Sequence, residues 1–341
     1  MCQIDGRSWS AQFAKLRIFG KSPIDAYLRL NQRLWTSLPA SVTALGPLRS
    51  YGNFLYTLVR LQSVRGQLPH TFFLRNRPAL ELLRRIVEKR PKADTLKIAV
   101  LGCSAGAEAY SIAWKLRSAR SDLKLILQAV DISERAIELA KSGVYSPAVS
   151  ELMGTDMFDS LTEGETKDLF DRSGDVLAVK SPIKEGIEWH VADVSKPEIL
   201  DVVGLQDIVV ANNFLCHMDV CVAEDCLRNI ARVVGPDGYL FVSGIDLDIR
   251  TRVAEDLGWR PITELLEEIH YGDPRMTAGW PWNYSALEPL NKKRSDWKVR
   301  YAAAFRLVHS GNEAENLARN GYSGLTEASA SKSLCEPQKD N

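Results

Sequence analysis

The chain has 341 residues, 45% of them hydrophobic, and its 43 basic and 43 acidic side chains cancel. That length suits one large or two modest domains with a well-buried core. No apolar run reaches the roughly 18 residues of a bilayer-crossing helix, and the N-terminus lacks the apolar stretch of a secretory signal, so the expectation is a cytoplasmic protein without a membrane span.

Residues 1–70 read as mainly helical. Asp25 to Leu38 carries Tyr27, Leu28, Leu30, Leu34 and Trp35 near helical spacing before Pro39, and Phe54 to Leu61 is a second helical run. This segment holds nine Lys and Arg against Asp5 and Asp25, a net of +7 that the remainder balances. A basic helical cap with solvated faces explains it, and so does a surface for an acidic partner. Pro78 then opens a helix to about Arg90, with Leu80, Leu83 and Val87 on one face.

Ile98 to Leu101 is a short, apolar, partly β-branched run, as a central parallel strand requires. Gly102 and Gly106 follow, and then Ala109, Ile112, Ala113 and Leu116 recur at helical spacing. A strand, a glycine loop and a helix place backbone N–H groups at a helix N-terminus beside the carboxyl edge of a sheet. The next strand, Lys124 to Val130, closes on Asp131, at the distance where an acidic residue accepts from ribose hydroxyls. The loop is Gly-x-x-x-Gly without a lysine, so neither the dinucleotide fingerprint nor a P-loop applies. An adenosine without a pyrophosphate fits, which points to S-adenosylmethionine.

Ser133 is placed to cap a helix that Gly143 ends. Residues 146–186 exceed an ordinary connection and read as an insertion, with Val176 to Lys180 after Gly174 as one arm of a small hairpin. Ile187 to Val191 and Asp207 to Ala211 are further strands; Asp193, just past the first, can accept the adenine amino group. Cys221 to Val234 reads as a helix, Gly235-Pro236-Asp237-Gly238 as a turn, Tyr239 to Val242 as a strand and Tyr301 to Val308 as the last one. Between them lie Trp259, Gly279-Trp280-Pro281-Trp282-Asn283-Tyr284 and Trp297. This aromatic cluster is either core packing or a wall of an acceptor pocket, lined by Trp280, Trp282 or Tyr284.

Four ordered motifs carry a resemblance. They are Thr71-Phe72-Phe73-Leu74-Arg75-Asn76, Gly102-Cys103-Ser104-Ala105-Gly106-Ala107-Glu108-Ala109-Tyr110-Ser111-Ile112-Ala113, Ala129-Val130-Asp131-Ile132-Ser133 and Ala140-Lys141-Ser142-Gly143-Val144-Tyr145. Over about residues 69–250 the chain resembles the CheR-type, chemotaxis-receptor glutamate methyltransferases. The resemblance implies a doubly wound, seven-stranded class I (Rossmann-like) methyltransferase sheet of the α/β class with one reversed strand. A helical N-terminal segment and a small inserted β-hairpin subdomain complete it. The expected division is 1–76 helical, 77–310 methyltransferase domain with an insert at 146–186 and a Trp-rich extension at 247–310, and 311–341 a disordered tail.

The resemblance further implies a cofactor set of Thr71, Arg75, Gly102, Ser104, Gly106, Glu108, Asp131, Ile132, Asp193, Val194, Asn212 and Asn213, with Arg75 and Glu108 at the methionine end. In the family's C-R-N-V-L-I-Y-F pattern, Asn213 fits, Asn212 replaces arginine and His217 replaces tyrosine. The family's usual N-terminal pattern is missing as well. These departures favour a non-chemoreceptor acceptor, a small molecule methylated at O or N, with His217 as general base; Arg75, the other catalytic candidate, can hold either the methionine carboxylate or an acceptor acid by paired bonds. Protein-glutamate methylation and a non-catalytic cofactor-binding module remain the alternatives.

Six scattered cysteines suit a reducing compartment, and the spacing of Cys216, His217, Cys221 and Cys226 is not that of a metal site. Neither an Asn-Pro-Pro-Tyr-like motif nor a basic, aromatic-interleaved stripe marks a nucleic-acid partner.

Overall fold

A computed structural model describes residues 23–43, 45–63, 70–152, 157–273 and 279–307. The tail expected at 311–341 lies outside the described residues. Contacts divide the chain into two compact units: Met1–Gly66 with Asp273–Asn291, and Gln67–Gly272 with Lys292–Asn341.

The smaller unit is helical. Its two long helices are α1 (Pro23–Thr36) and α2 (Gly46–Gln62), the second reaching further in both directions than the run Phe54 to Leu61. Leu55 and Tyr56 of α2 are buried, and the Trp-rich turn packs on both helices. Trp35 meets Trp280 and Trp282 edge-on at 5.9 and 6.2 Å, and Tyr56 stacks on Tyr284 at 6.3 Å. Gly52 makes room for this: a Cβ there would lie 2.3 Å from the Trp280 ring.

The larger unit is built on a sheet of seven strands. These are β1 (Thr95–Leu101), β2 (Lys124–Asp131), β6 (Ile187–Val191), β7 (Gln206–Asn212), β8 (Val234–Ser243), β9 (Arg260–Pro261) and β10 (Ala304–Arg306). Their order is β6-β2-β1-β7-β8-β10-β9. The pairs β6–β2, β2–β1, β1–β7 and β7–β8 are parallel, and β10 runs antiparallel to both neighbours. It is thus the doubly wound sheet with one reversed strand that the resemblance implies. β1 sits mid-sheet with Leu96, Ile98, Ala99, Val100 and Leu101 fully buried, because both of its faces are covered. The chain order turns back between β1 and β7, and in such sheets ligands bind outside the carboxyl ends of the strands at that point.

Helices α3 (Arg77–Glu88), α4 (Ala107–Ala119), α5 (Glu134–Ser142), α6 (Val220–Ala231) and α7 (Leu247–Asp256) flank the sheet. Local chemistry sets their ends. Asn76, left-handed at φ +50°, caps α3 by accepting from the Ala79 N–H at 3.2 Å. Ser133 caps α5 by accepting from Ala136, and Gly143, also left-handed, closes it.

The insertion folds as a second, antiparallel sheet, β3-β5-β4, of β3 (Val144–Tyr145), β4 (Phe170–Ser173) and β5 (Val176–Val179). A capping box between Thr162 and Glu165 starts the short helix before β4. Glu165 also holds the Arg77 guanidinium through two bonds, tying the insertion to α3.

Two expectations shift. Residues 235–238 are an irregular part of β8, with a register break opposite Gln206 and Ile208, and not a free turn. The final strand is Ala304–Arg306, preceded by a short helix at Trp297–Tyr301.

Candidate active site

The cofactor loop starts where β1 ends. Gly102 turns the chain at φ +71°, and the Gly102 and Cys103 N–H groups both donate to the Val130 carbonyl, at 2.8 and 2.9 Å. A Cβ on Gly102 would come 2.6 Å from the Phe214 ring, so the turn and the packing both need glycine there. Gly106, at φ +88°, is the N-cap of α4 and gives it no side-chain cap. The first N–H groups of a 13-residue helix are thereby presented at the sheet's carboxyl edge, where they favour negative charge.

Asp131 ends β2 beside this loop. Its Oδ2 accepts from the Ser104 N–H at 2.7 Å and its Oδ1 from the Ser133 N–H at 2.9 Å. A carboxylate has about four acceptor sites, so this anchoring leaves capacity for ribose hydroxyls. Ile132, next in the chain, is exposed. After β6, Asp193 uses Oδ1 to accept from the Ser195 N–H and hydroxyl, at 2.9 and 2.7 Å, and Val194 is buried. Asn229 of α6, buried, donates to the carbonyls of Val194 and Lys196 at 3.0 and 2.6 Å and pins this segment. Sequence spacing gives no hint of that role, since Asn229 lies more than thirty residues away on a helix.

At the end of β7 three polar side chains form a chain. Asn212 donates to Glu108 Oε1 at 2.7 Å, and Ser243 donates to Asn212 Oδ1 at 2.8 Å. Burial pushes the Glu108 carboxyl up from its ordinary value; the Asn212 bond and the charge of Arg75 oppose that shift. The Arg75 guanidinium lies over the Phe72 ring, 4.9 Å from its centre. Thr71 is buried, and Phe73 anchors the segment in an aromatic cluster. Asn213 is left-handed at φ +63° and donates its N–H to the Ser243 carbonyl at 3.0 Å. Gly244 passes so close that a Cβ on it would lie 2.5 Å from Asn213 Cα. His217, half-buried, ends the 3-10 turn Leu215–His217 that follows.

The donor set fits S-adenosylmethionine. Three carboxylates, Asp131, Asp193 and Glu108, stand with one guanidinium, Arg75, and the N-terminus of α4. That balance suits a molecule with a sulfonium and an ammonium against one carboxylate, plus two hydroxyls and an amino group. Among the described residues no group of His, Cys, Asp and Glu is arranged for a metal, and no helix is long and apolar enough to cross a membrane. Cys103, Cys216 and Cys226 are buried thiols. Trp280, Trp282 and Tyr284 belong to the helical unit, on Trp35 and Tyr56.

Residues 69–247 match the profile of the CheR methyltransferase SAM-binding domain. The chain belongs to that family. It therefore carries a CheR-type S-adenosylmethionine-binding methyltransferase domain. Two relatives are described as "Probable biofilm formation methyltransferase WspC". The one from Pseudomonas putida is 25% identical over 200 residues, which is 57% of this chain and 44% of the relative. The one from Pseudomonas aeruginosa is 26% identical over 180 residues, 51% of this chain and 41% of the relative. The aligned region thus spans less than half the length of these curated relatives. Among solved structures, magnesium protoporphyrin IX methyltransferase from Synechocystis with bound SAM shares 15% identity, 63% of this chain and 86% of its own, at a TM-score of 0.32. The CMeT domain of the citrinin polyketide synthase shares 14%, with 68% and 51% covered, at 0.35.

Proposed function

We propose that this CheR-family enzyme methylates a small, proton-bearing acceptor at oxygen or nitrogen, in the cytoplasm, and does not act on chemoreceptor glutamates. The observation that carries the reading is Asn212. The family pattern has arginine there, a residue suited to hold a carboxylate acceptor by paired bonds. Here the side chain is neutral, with its N–H turned to Glu108 and its oxygen taken by Ser243. The position offers no positive charge to an acid.

The cofactor brings a methyl group on a sulfonium, which is already a good leaving group. The chain's task is alignment and exclusion of water. Arg75 takes the methionine carboxylate and Glu108 the ammonium. Asp131 holds the ribose and Asp193 the adenine amino group. Thr71, Gly102, Ser104, Gly106, Ile132, Val194 and Asn213 enclose the rest. His217 removes the acceptor's proton, which a carboxylate acceptor would not require.

A second reading, methylation of protein carboxylates, is favoured by the separate three-stranded sheet, which matches the subdomain that some chemotaxis enzymes use to dock receptor tails. The test is incubation with methyl-labelled cofactor and host extract, split into protein and metabolite pools and then treated with mild base. Label in the metabolite pool that survives base is expected. Base-labile label in protein would establish the second reading. Absence of transfer with intact cofactor binding would leave a binding module. His217→Phe should lower kcat by roughly 10²–10⁴-fold with little change in cofactor affinity, as for a lost general base; a small kcat effect would point to a carboxylate acceptor.

A further inference from the structure

The inserted sheet touches the cofactor loop through one buried hydroxyl. Tyr145, on β3, is fully buried, and its OH donates to the Ala105 carbonyl at 2.7 Å. Ala105 is also buried, between Ser104 at φ +49° and Gly106 at φ +88°. The peptide that joins Ala105 to Gly106 is held at both ends. Its carbonyl is held by Tyr145, and its N–H donates to the Cys103 carbonyl at 3.0 Å. This is the peptide on which α4 begins.

The ring that carries the hydroxyl is seated by three others. It meets Phe73 edge-on at 5.5 Å, Phe158 at 6.1 Å and Phe170 at 6.3 Å. Phe158 and Phe170 come from the insertion, and Phe73 from the segment that carries Thr71 and Arg75. β3 is pinned to β5 by the pairs Val144 with Ala178 and Tyr145 with Leu177. Burial also raises the phenol well above its ordinary pKa, so it stays a donor across any working pH.

We propose that Tyr145 is a positioning residue for the cofactor loop, and that the inserted sheet holds the S-adenosylmethionine site in shape through it. The inference rests on the cofactor of the family and not on the nature of the acceptor. Tyr110 supplies a matched control. It is equally buried, and its OH donates to a carbonyl at 2.5 Å, but that carbonyl is Ala140 of α5, outside the loop.

The experiment is calorimetric titration of the full chain with S-adenosylmethionine and S-adenosylhomocysteine, acceptor absent, on Tyr145→Phe and Tyr110→Phe. Each variant loses one buried hydrogen bond, so both should melt earlier. Tyr145→Phe should raise both dissociation constants roughly tenfold, the scale of one lost bond. Tyr110→Phe should leave them within about twofold. Equal melting losses with unchanged affinity in Tyr145→Phe would make the hydroxyl merely structural and overturn the proposal. If Tyr145→Phe does not fold, Phe158→Leu keeps the hydroxyl and loosens its seat; a raised dissociation constant supports the proposal, and an unchanged one defeats it. Because no acceptor is present, these outcomes leave the small-molecule reading untouched.

Discussion

Single side chains here act by holding backbone as much as by facing a ligand. Asp131, the proposed ribose ligand, is the clearest case, since its two oxygens fix the Ser104 and Ser133 N–H groups. Asp131→Ala should weaken S-adenosylmethionine binding by about 1–3 kcal/mol, the scale of a lost bond to a charged acceptor. Calorimetry that finds unchanged affinity rejects the assignment. Glu108 yields a prediction about pH. Burial raises its carboxyl in the folded protein, so the folded chain holds that proton to higher pH than the unfolded chain does. The stability this contributes is full below the ordinary glutamate value and is lost as pH rises through the raised one. A bound ammonium prefers the charged carboxylate, so cofactor affinity should climb over the same window. Glu108→Gln should flatten both profiles; a variant that keeps the wild-type pH dependence of binding removes Glu108 from the site. The spacing of glycines and acid put Asp131 at a strand end beside the glycine loop, where the structure has it, and the family motif pointed to Glu108 as its proposed companion. Ser243, Asn229 and the Tyr145 hydroxyl were not legible, because each acts on a segment at least thirty residues away, through a contact that only the folded sheet creates.

The elements were legible where local and global preferences agree. β1 is apolar from Ile98 to Leu101, where it is covered on both faces, and α5 has serine and glycine at its two ends. They were read short where a strand takes in a turn. Gly235-Pro236-Asp237-Gly238 keeps its turn chemistry inside β8 as an unpaired excursion, because the register passes from Gln206 opposite Val234 to Ile208 opposite Tyr239. Glycine allows this, since a Cβ on Gly238 would lie 3.0 Å from the Asp207 carbonyl and 2.7 Å from Val234. The same logic at the β1–α4 junction gives a test. Gly102→Ala places a side chain at φ +71° and drives its Cβ against Phe214. The left-handed backbone alone costs about 1–3 kcal/mol, so the urea midpoint should fall accordingly. An unchanged midpoint would mean that this turn relaxes without strain.

At the scale of the whole molecule, the chain is not divided where its composition changes. The stretch 247–310 is shared: α7 and β10 belong to the sheet, whereas the Trp-rich turn between them belongs with the first helices. Sequence order hides this, because the helical unit is assembled from segments more than two hundred residues apart. Each unit has its own aromatic packing, Trp35 with Trp280 and Trp282 in one, Phe73 with Tyr145 and Phe170 in the other. All proposed cofactor ligands lie in the second. Unfolding of the full chain should therefore show two calorimetric transitions. S-adenosylmethionine at a hundred times its dissociation constant should stabilise one of them by about 2.7 kcal/mol and leave the other in place. Trp35→Ala, which removes both edge-on contacts of this half-buried ring, should destabilise the other by about 1–3 kcal/mol, the scale of two aromatic pairs, without changing cofactor affinity. A single transition that moves with both the ligand and the substitution would mean that the two units fold as one, and that the Trp-rich turn is energetically part of the methyltransferase core.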